Sequence, residues 1–141
     1  MNVKVAGIWE IGWNTPIKEI DLWEMVMREF DIKDHYMSPI TGIDHPVKER
    51  KNIQQVLKEN PGYTAIFCDE RAETTLEDFK HPKKALYVFG RTNFSPFLSF
   101  KRPKDLSIKI QTALPKSGLF WSHQAAAIIL HDRLLKQKKK K

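Results

Sequence analysis

Short β-rich runs alternate with helical patterns along this chain of 141 residues, and this alternation is the strongest constraint on its fold. Two of the runs, Thr64–Cys68 (TAIFC) and Ala85–Phe89 (ALYVF), are continuously apolar, as in parallel strands that are buried on both faces. Three further strands are predicted at Val3–Ile8, Asp34–Ser38 and Ser107–Gln111. The pattern predicts an α/β domain whose parallel sheet is covered on both faces, with right-handed crossovers.

Four helices are predicted between and after these strands. The first is expected to be capped by Asp21, because Glu24 follows three residues later and apolar residues then recur at helical spacing. The segment before it, residues 11–20, contains Gly, Asn and Pro and is predicted to be a loop. The other three helices are predicted over Val47–Glu59, in one short turn after Thr74 or Thr75, and from about Phe120 to Lys136.

The positive charge of the chain is concentrated at one end. The formal net charge is +7, but five cationic residues lie in the last six positions, and without them 19 cationic residues face 17 acidic ones. The sequence therefore indicates a single domain over residues 1–136 followed by a basic tail, 137–141. A lysine run of this kind either binds phosphates without sequence preference or remains a solvated end.

Several classes of protein are disfavoured by the motifs. Neither a phosphate-binding P-loop nor a G-x-G-x-x-G fingerprint is present, and the five histidines show no metal-ligand spacing, so no metal site is expected. The single cysteine, Cys68, ends an apolar strand and is predicted to be a packed, inert thiol. The longest uncharged stretch near the C-terminus, Ser117–Leu130, is shorter than the roughly 20 residues of a membrane span. With no apolar core in MNVKVAGIWE, we expect a cytoplasmic protein with no membrane partner.

Two segments carry a family resemblance. In the first, ALYVFGRTNFSP, a strand ends in Gly90 before an irregular loop, and in the second, a strand containing Ile110 leads through a loop into a helix with Ala125, Ala126 and Ala127. These segments resemble the second and third motifs of the SpoU/TrmH-like RNA ribose methyltransferases of the SPOUT superfamily. The resemblance implies a deep trefoil knot, an exception to the rule that chains do not thread loops.

The resemblance also implies a cofactor and its pocket. Members of this family bind S-adenosylmethionine in the knot, and most are homodimers. Ligands of parallel sheets lie outside the carboxyl ends of the strands, which agrees with this location. Carried over by position, the pocket would consist of Val88, Phe89, Gly90, Ile110, Gln111, Leu114 and Leu119.

The polar signature residues of the family are replaced in this chain. Glu24 or Met25 stands where the first motif has an arginine, the G-N-E of the second motif reads G-R-T from Gly90, and the S-L-N of the third reads L-F-W from Leu119. Arg91, beside the glycine loop, and Arg28, one turn further along the first helix, are the candidate catalytic substitutes.

The resemblance implies an S-adenosylmethionine-dependent methyltransferase that acts on a ribose 2′-hydroxyl of tRNA or rRNA. The alternative is a catalytically inactive homodimer of the same fold that binds RNA or protein. Trp121 and His123 open the last helix, where a tryptophan either packs or stacks on an unpaired base and a histidine either acts as a base or makes structural hydrogen bonds.

Overall fold

The computed structural model describes residues 2–9, 16–42, 46–90, 101–113 and 120–139, and for residues 16–18 and 139 it describes the backbone alone. Within these ranges the chain forms six strands, three α-helices and one 3-10 turn at Leu76–Asp78. The strands and helices in chain order are β1 (Val3–Ile8), α1 (Pro16–Glu29), β2 (Asp34–Ser38), β3 (Lys48–Glu49), α2 (Ile53–Glu59), β4 (Thr64–Cys68), β5 (Ala85–Phe89), β6 (Leu106–Ile108) and α3 (Ser122–Lys139).

The six strands form one sheet in the order β3-β2-β1-β5-β4-β6. Every neighbouring pair is parallel, so the carboxyl ends of all six strands lie along one edge. The apolar runs became β4 and β5, and in β5 Val88 lies beside Ala6 of β1 on one side and Phe67 of β4 on the other. The predicted α/β fold with a parallel sheet is therefore confirmed.

Both faces of the sheet are covered, because alternate residues of the central strands point in opposite directions. Tyr87 and Phe89 belong to the apolar cluster that includes residues of α1 and α3, whereas Leu86 and Val88 belong to the cluster that includes residues of α2. Helices α1 and α3 contact each other on their shared face. The sheet is thus buried between two layers of helix.

Helix α1 approaches the backbone of β1 closely at Gly7. A Cβ atom at this position would lie 3.0 Å from Met37 Sδ and 3.0 Å from Trp23 Cζ2. Trp23 is fully buried, and its ring occupies the space above β1 that a side chain at position 7 would need. Glycine at this position therefore lets α1 pack directly on the sheet.

Helix α3 is tied to the segment before β5 by a buried arginine. Arg133 donates hydrogen bonds from Nη1 to the carbonyl oxygen of Pro82 at 2.8 Å and to Tyr87 Oη at 3.0 Å, and from Nη2 to the carbonyl oxygen of Lys83 at 3.1 Å. Tyr87 Oη also lies 2.7 Å from His81 Nδ1. These bonds fix the second half of α3 against the amino ends of the strands.

The first helix begins earlier than the sequence predicts. It starts at Pro16 instead of Asp21, so the predicted loop over residues 11–20 is wrong for residues 16–20, and residues 11–15 lie outside the described part. Glu19 and Ile20 are buried, so the face of the helix that packs against the core begins before Asp21. Asp21 itself is exposed. A buried glutamate interrupts the apolar periodicity from which the start was predicted.

The predicted helix over Val47–Glu59 is correct only in its second half. Lys48–Glu49 pairs with β2 as the edge strand β3, and the helix begins at Ile53. Asn52 is its N-cap, since its side chain accepts a hydrogen bond from the backbone N–H of Gln55 at 2.9 Å. A strand of two residues is defined by its pairing with β2, and the sequence pattern of the segment itself does not reveal that pairing.

The other elements lie close to their predicted positions. The turn predicted after Thr75 is the 3-10 turn, the fifth predicted strand is shorter and starts at Leu106, and the last helix starts at Ser122. That helix runs through Lys139, so part of the predicted basic tail continues α3 as helical backbone. No helix among the described residues is long and apolar enough to cross a membrane.

Candidate functional site

The carboxyl end of the central strand β5 holds the first group of predicted site residues. The side chain of Val88 is fully buried toward α2, and that of Phe89 is buried toward α1, with its ring centroid 5.9 Å from that of Trp23. Gly90 follows directly and is half-buried. The side chains of Val88 and Phe89 are thus used by the core.

The N-terminus of α3 is joined to this strand end by a hydrogen bond. Ser122 Oγ donates to the carbonyl oxygen of Gly90, and the serine itself is buried. The backbone N–H of Trp121 donates to Gln124 Oε1 at 2.9 Å, which satisfies one of the free donors at the start of the helix. Strand β5 and helix α3 therefore meet at the point where the glycine loop begins.

The second group of predicted site residues follows β6. Ile110 is half-buried and packs against the cluster beneath α1 and α3, while Gln111 is exposed. Leu114 and Leu119 lie outside the described residues. The neighbouring β4 connects the two groups, because Cys68 is paired with both Phe89 of β5 and Ile108 of β6.

A buried carboxylate lies between these two groups, at the end of β4. The backbone N–H of Asp69 donates to the carbonyl oxygen of Ile108 at 2.9 Å. Its carboxylate accepts hydrogen bonds from Arg71, from the backbone N–H at 2.9 Å, from Nε at 3.1 Å and from Nη2 at 2.9 Å. The carboxylate raises the pKa of the Arg71 guanidinium through these bonds. This pair is not predicted from the sequence, although an aspartate directly after a buried strand is a usable signal.

Arg28, the first candidate catalytic residue, lies away from this edge. It belongs to the last turn of α1, its side chain is 73% exposed, and its Nη2 lies 2.8 Å from Glu24 Oε1. Phe30 and Ile32, which follow, line a cavity with Asn2 and Val3 at the amino ends of the strands. The structure therefore does not bring Arg28 together with Gly90. Arg91, the second candidate, lies outside the described residues.

Aromatic rings line the path from the end of β5 to the start of α3. The ring of Trp23 lies 5.9 Å from that of Phe89 and 6.3 Å from that of His123, which in turn lies 5.7 Å from Trp121. Trp121 is 38% exposed, so part of its indole faces solvent next to Ser122, which is bonded to Gly90. This position suits either packing against a partner or stacking on a base.

Two further residues near this edge are packed. Trp9, directly after β1, is buried and donates from Nε1 to Glu49 Oε2 at 3.1 Å. Burial raises the pKa of the Cys68 thiol to about 12, which keeps it protonated and inert at neutral pH. For Cys68 this agrees with the prediction. No group of three or more metal-ligating side chains is found in the described part of the chain.

Comparison with known proteins identifies solved structures that are similar to this chain. No protein-family model and no curated protein sequence matches the chain. It is similar to the A. aeolicus TrmH/SpoU tRNA modifying enzyme, with a TM-score of 0.72 and 14% identity over 99% of this chain and 77% of that one. A structure concerned with the 2-OH methylation of C/U34 on tRNA has a TM-score of 0.72 and 8% identity, over 97% of both chains.

A third similar structure contains a cofactor. It is the SpoU methyltransferase AviRb from Streptomyces viridochromogenes in complex with AdoMet, with a TM-score of 0.76 and 12% identity over 95% of this chain and 57% of that one. At identities this low the likeness concerns the fold alone. The chain therefore has the α/β fold of these SpoU/TrmH methyltransferase structures, in agreement with the resemblance seen in its sequence, while the trefoil knot stays a prediction.

Proposed function

We propose that this protein is an S-adenosylmethionine-dependent RNA methyltransferase that methylates a ribose 2′-hydroxyl of tRNA or rRNA. The proposal is supported by its fold, which it shares with SpoU/TrmH RNA methyltransferases, and by the arrangement at the carboxyl edge of its sheet. The observation that carries it is the bond from Ser122 to the Gly90 carbonyl, which holds the start of α3 at the glycine that the family motif predicts.

The described residues at this edge fit an adenosine-containing cofactor. Adenosine has flat apolar faces and a polar edge, and it is held in many sites by apolar walls and backbone groups. Ile110 offers a half-buried apolar side chain, Gly90 leaves the backbone accessible, and Gln111 presents an exposed amide. The proposed pocket consists of Val88, Phe89, Gly90, Ile110, Gln111, Leu114 and Leu119.

The reaction needs three components. S-adenosylmethionine, when bound, supplies a methyl group on a sulfonium, and the protein must hold the ribose hydroxyl in line with it. The hydroxyl must lose its proton, and a cation lowers the energy of the developing alkoxide. We assign this cationic role to Arg91, since it follows Gly90 directly. Arg28 is exposed and paired with Glu24, which favours a solvated surface role for it.

RNA and a second copy of the chain are the proposed partners. Lys138 is exposed on α3, and with the lysines that follow it would neutralise phosphates and give salt-dependent binding. Leu135 is 45% exposed on the same helix and Phe120 is 37% exposed just before it, so this region offers apolar area for a homodimer. A monomeric mass in light scattering at micromolar concentration would exclude the dimer. The single cysteine is consistent with a cytoplasmic location.

The second candidate function is a catalytically inactive homodimer that binds RNA or protein. It is favoured by one specific observation: Glu24 and Met25, at the position of the family's arginine, are both exposed, and Glu24 is occupied by Arg28. In this alternative the chain keeps the fold and the contact surfaces but lacks the cation at the reacting hydroxyl.

Calorimetric titration with S-adenosylmethionine and S-adenosylhomocysteine separates the two candidates. An active methyltransferase should bind both in the micromolar range, which corresponds to about −8 kcal/mol. No binding at millimolar concentration would refute the methyltransferase and leave the inactive homodimer.

Transfer of labelled methyl groups to tRNA and rRNA fractions then tests the assigned arginine. Arg91→Ala should abolish transfer while cofactor affinity stays nearly unchanged. Arg28→Ala is the matched control, because it removes the same charge away from the carboxyl edge and should leave the rate unchanged. Equal rates for Arg91→Ala and the parent protein would remove Arg91 from the site.

A further inference from the structure

The cavity lined by Phe30 and Ile32 lies at the amino edge of the sheet, opposite the candidate site. Its volume is about 910 Å³, and it is bounded by the start of β1, the residues after α1, the segment 79–83 and the second half of α3. Val3, Phe30, Ile32 and Leu130 form its apolar wall. This volume lies within the range of about 300–1,000 Å³ that is typical of sites for small organic molecules.

The charged residues that line this cavity all have the same sign. They are Lys80, Lys83, Arg133 and Lys136, and no carboxylate is part of the lining. Asp132, on the same helix as Arg133 and Lys136, is occupied by Lys136 at 2.9 Å and by His81 at 2.7 Å. The cavity therefore combines an apolar wall with a lining whose charged residues are all cationic.

Two of these cations are fixed and two are available to a ligand. Arg133 donates to the carbonyl oxygens of Pro82 and Lys83, and Lys136 Nζ donates to the carbonyl oxygens of Leu76 and Phe79 at 2.6 and 2.8 Å. These bonds hold the segment 79–83 against α3, so the cavity is formed before a ligand arrives.

The available cations lie on that same fixed segment. Lys80 and Lys83 are exposed, and neither forms an ion pair with any described residue. An anion that binds there gains two charge contacts without breaking an existing one.

We propose that this cavity binds a small amphipathic organic anion. Its apolar body would pack against Val3, Phe30 and Leu130, and its carboxylate, sulfonate or phosphate group would face Lys80 and Lys83. The site is independent of the proposed methyl transfer, because it lies at the other end of β5 from Gly90. A nucleic acid or an extended protein surface fits less well, since the apolar wall is a concave surface between three elements of the fold.

A pair of fluorescent probes that differ in one charged group tests the proposal on the whole chain. Anilinonaphthalene sulfonate carries the apolar rings and the anion, and phenylnaphthylamine carries nearly the same rings without charge. We expect the sulfonate to bind with one saturable site per chain. The double variant Lys80→Gln/Lys83→Gln should weaken it about fourfold to twenty-fivefold, since each exposed charge contact contributes about twofold to fivefold. Binding of the uncharged probe should stay within twofold.

The controls identify the site. Lys51→Gln/Lys58→Gln removes two exposed charges near α2 and should leave both affinities unchanged. Leu134→Glu introduces a carboxylate into the lining and should abolish sulfonate binding, while urea midpoints verify that every variant is folded.

Three results would overturn the proposal. Equal weakening of both probes by the lysine variants would mean an unspecific apolar surface. Displacement of the sulfonate by saturating S-adenosylmethionine would mean that the probe reports the proposed cofactor site. Failure of the sulfonate to bind, together with a dimer in light scattering that Leu134→Glu converts to a monomer, would mean that a second copy covers the cavity.

Discussion

Replacing Tyr87 with phenylalanine removes one oxygen atom from the polar network between β5 and α3. In that network His81 Nε2 lies 2.7 Å from Asp132 Oδ2, and an ionised carboxylate can only accept, so Nε2 carries the hydrogen. In the neutral ring Nδ1 then accepts the Tyr87 hydroxyl hydrogen, at 2.7 Å, while Tyr87 Oη accepts from Arg133 at 3.0 Å. Burial raises the pKa of Tyr87 to about 12, which keeps this hydroxyl protonated and able to donate.

The cost of the substitution follows from what remains unpaired. His81 is nearly buried, with its side chain 4% exposed, so its Nδ1 would lose its donor in a place with little water. An orphaned buried polar atom costs about 1–3 kcal/mol. Arg133 keeps its bonds to the carbonyl oxygens of Pro82 and Lys83, so no charge is left unsolvated. We therefore expect Tyr87→Phe to lower the free energy of unfolding by about 2 kcal/mol, or the melting temperature by about 6 °C.

Urea denaturation monitored by circular dichroism at pH 7.5 measures this difference. Tyr36→Phe is the matched control, because Tyr36 is also buried in the sheet but its hydroxyl has no hydrogen bond to a residue within the described ranges. It should change the free energy of unfolding by less than about 0.5 kcal/mol. Equal effects of the two substitutions would refute the network as the source of the stability.

Three further predictions concern the fold and the candidate site. Burial lowers the pKa of His81 below 6.5 despite the opposing effect of Asp132, so the unfolded chain takes up its proton first as the pH falls. The urea midpoint should therefore drop from about pH 7 down to the folded-state pKa, and His81→Gln should lose this part of the dependence. Gly7→Ala should cost about 1–3 kcal/mol in the same assay, because the new methyl group would press on the buried ring of Trp23. Ser122→Ala should cost about 1 kcal/mol and weaken S-adenosylmethionine binding in calorimetry, because it frees the Gly90 carbonyl; unchanged cofactor affinity would contradict the role of this bond.

The parts of the fold that were predictable from sequence are those set by local apolar patterns. Thr64–Cys68 and Ala85–Phe89 are strands at the predicted residues, because a strand that is buried on both faces of a sheet needs an apolar side chain at every position. The start of α1 was missed because buried Glu19 breaks the apolar pattern. The two residues of β3 were missed because their pairing with β2 is a property of the neighbour and not of the segment itself.

The candidate site also has a part that the sequence predicts and a part that it does not. Gly90 and Ile110 are predicted as site residues from the spacing of the family motifs, and the structure places them after β5 and β6 at the carboxyl edge. The bond from Ser122 to Gly90 joins residues 32 positions apart, and that from His81 to Asp132 joins residues 51 positions apart. No local pattern predicts such contacts, because they depend on how α3 crosses the sheet.

Helix α3 connects the two edges at which ligands are proposed. Its first residue, Ser122, is bonded to Gly90 at the carboxyl end of β5, and Arg133, three turns later, is bonded to Tyr87 and to the segment before the same strand. Two attachments to one strand fix the helix in rotation and in position along its axis. An anion in the amino-edge cavity would therefore contact the segment that holds Arg133 without moving Ser122, so the two sites should bind their ligands independently. Calorimetry with S-adenosylmethionine in the presence and absence of saturating anilinonaphthalene sulfonate should give equal affinities. A change of more than threefold would mean that α3 shifts between two positions and couples the sites.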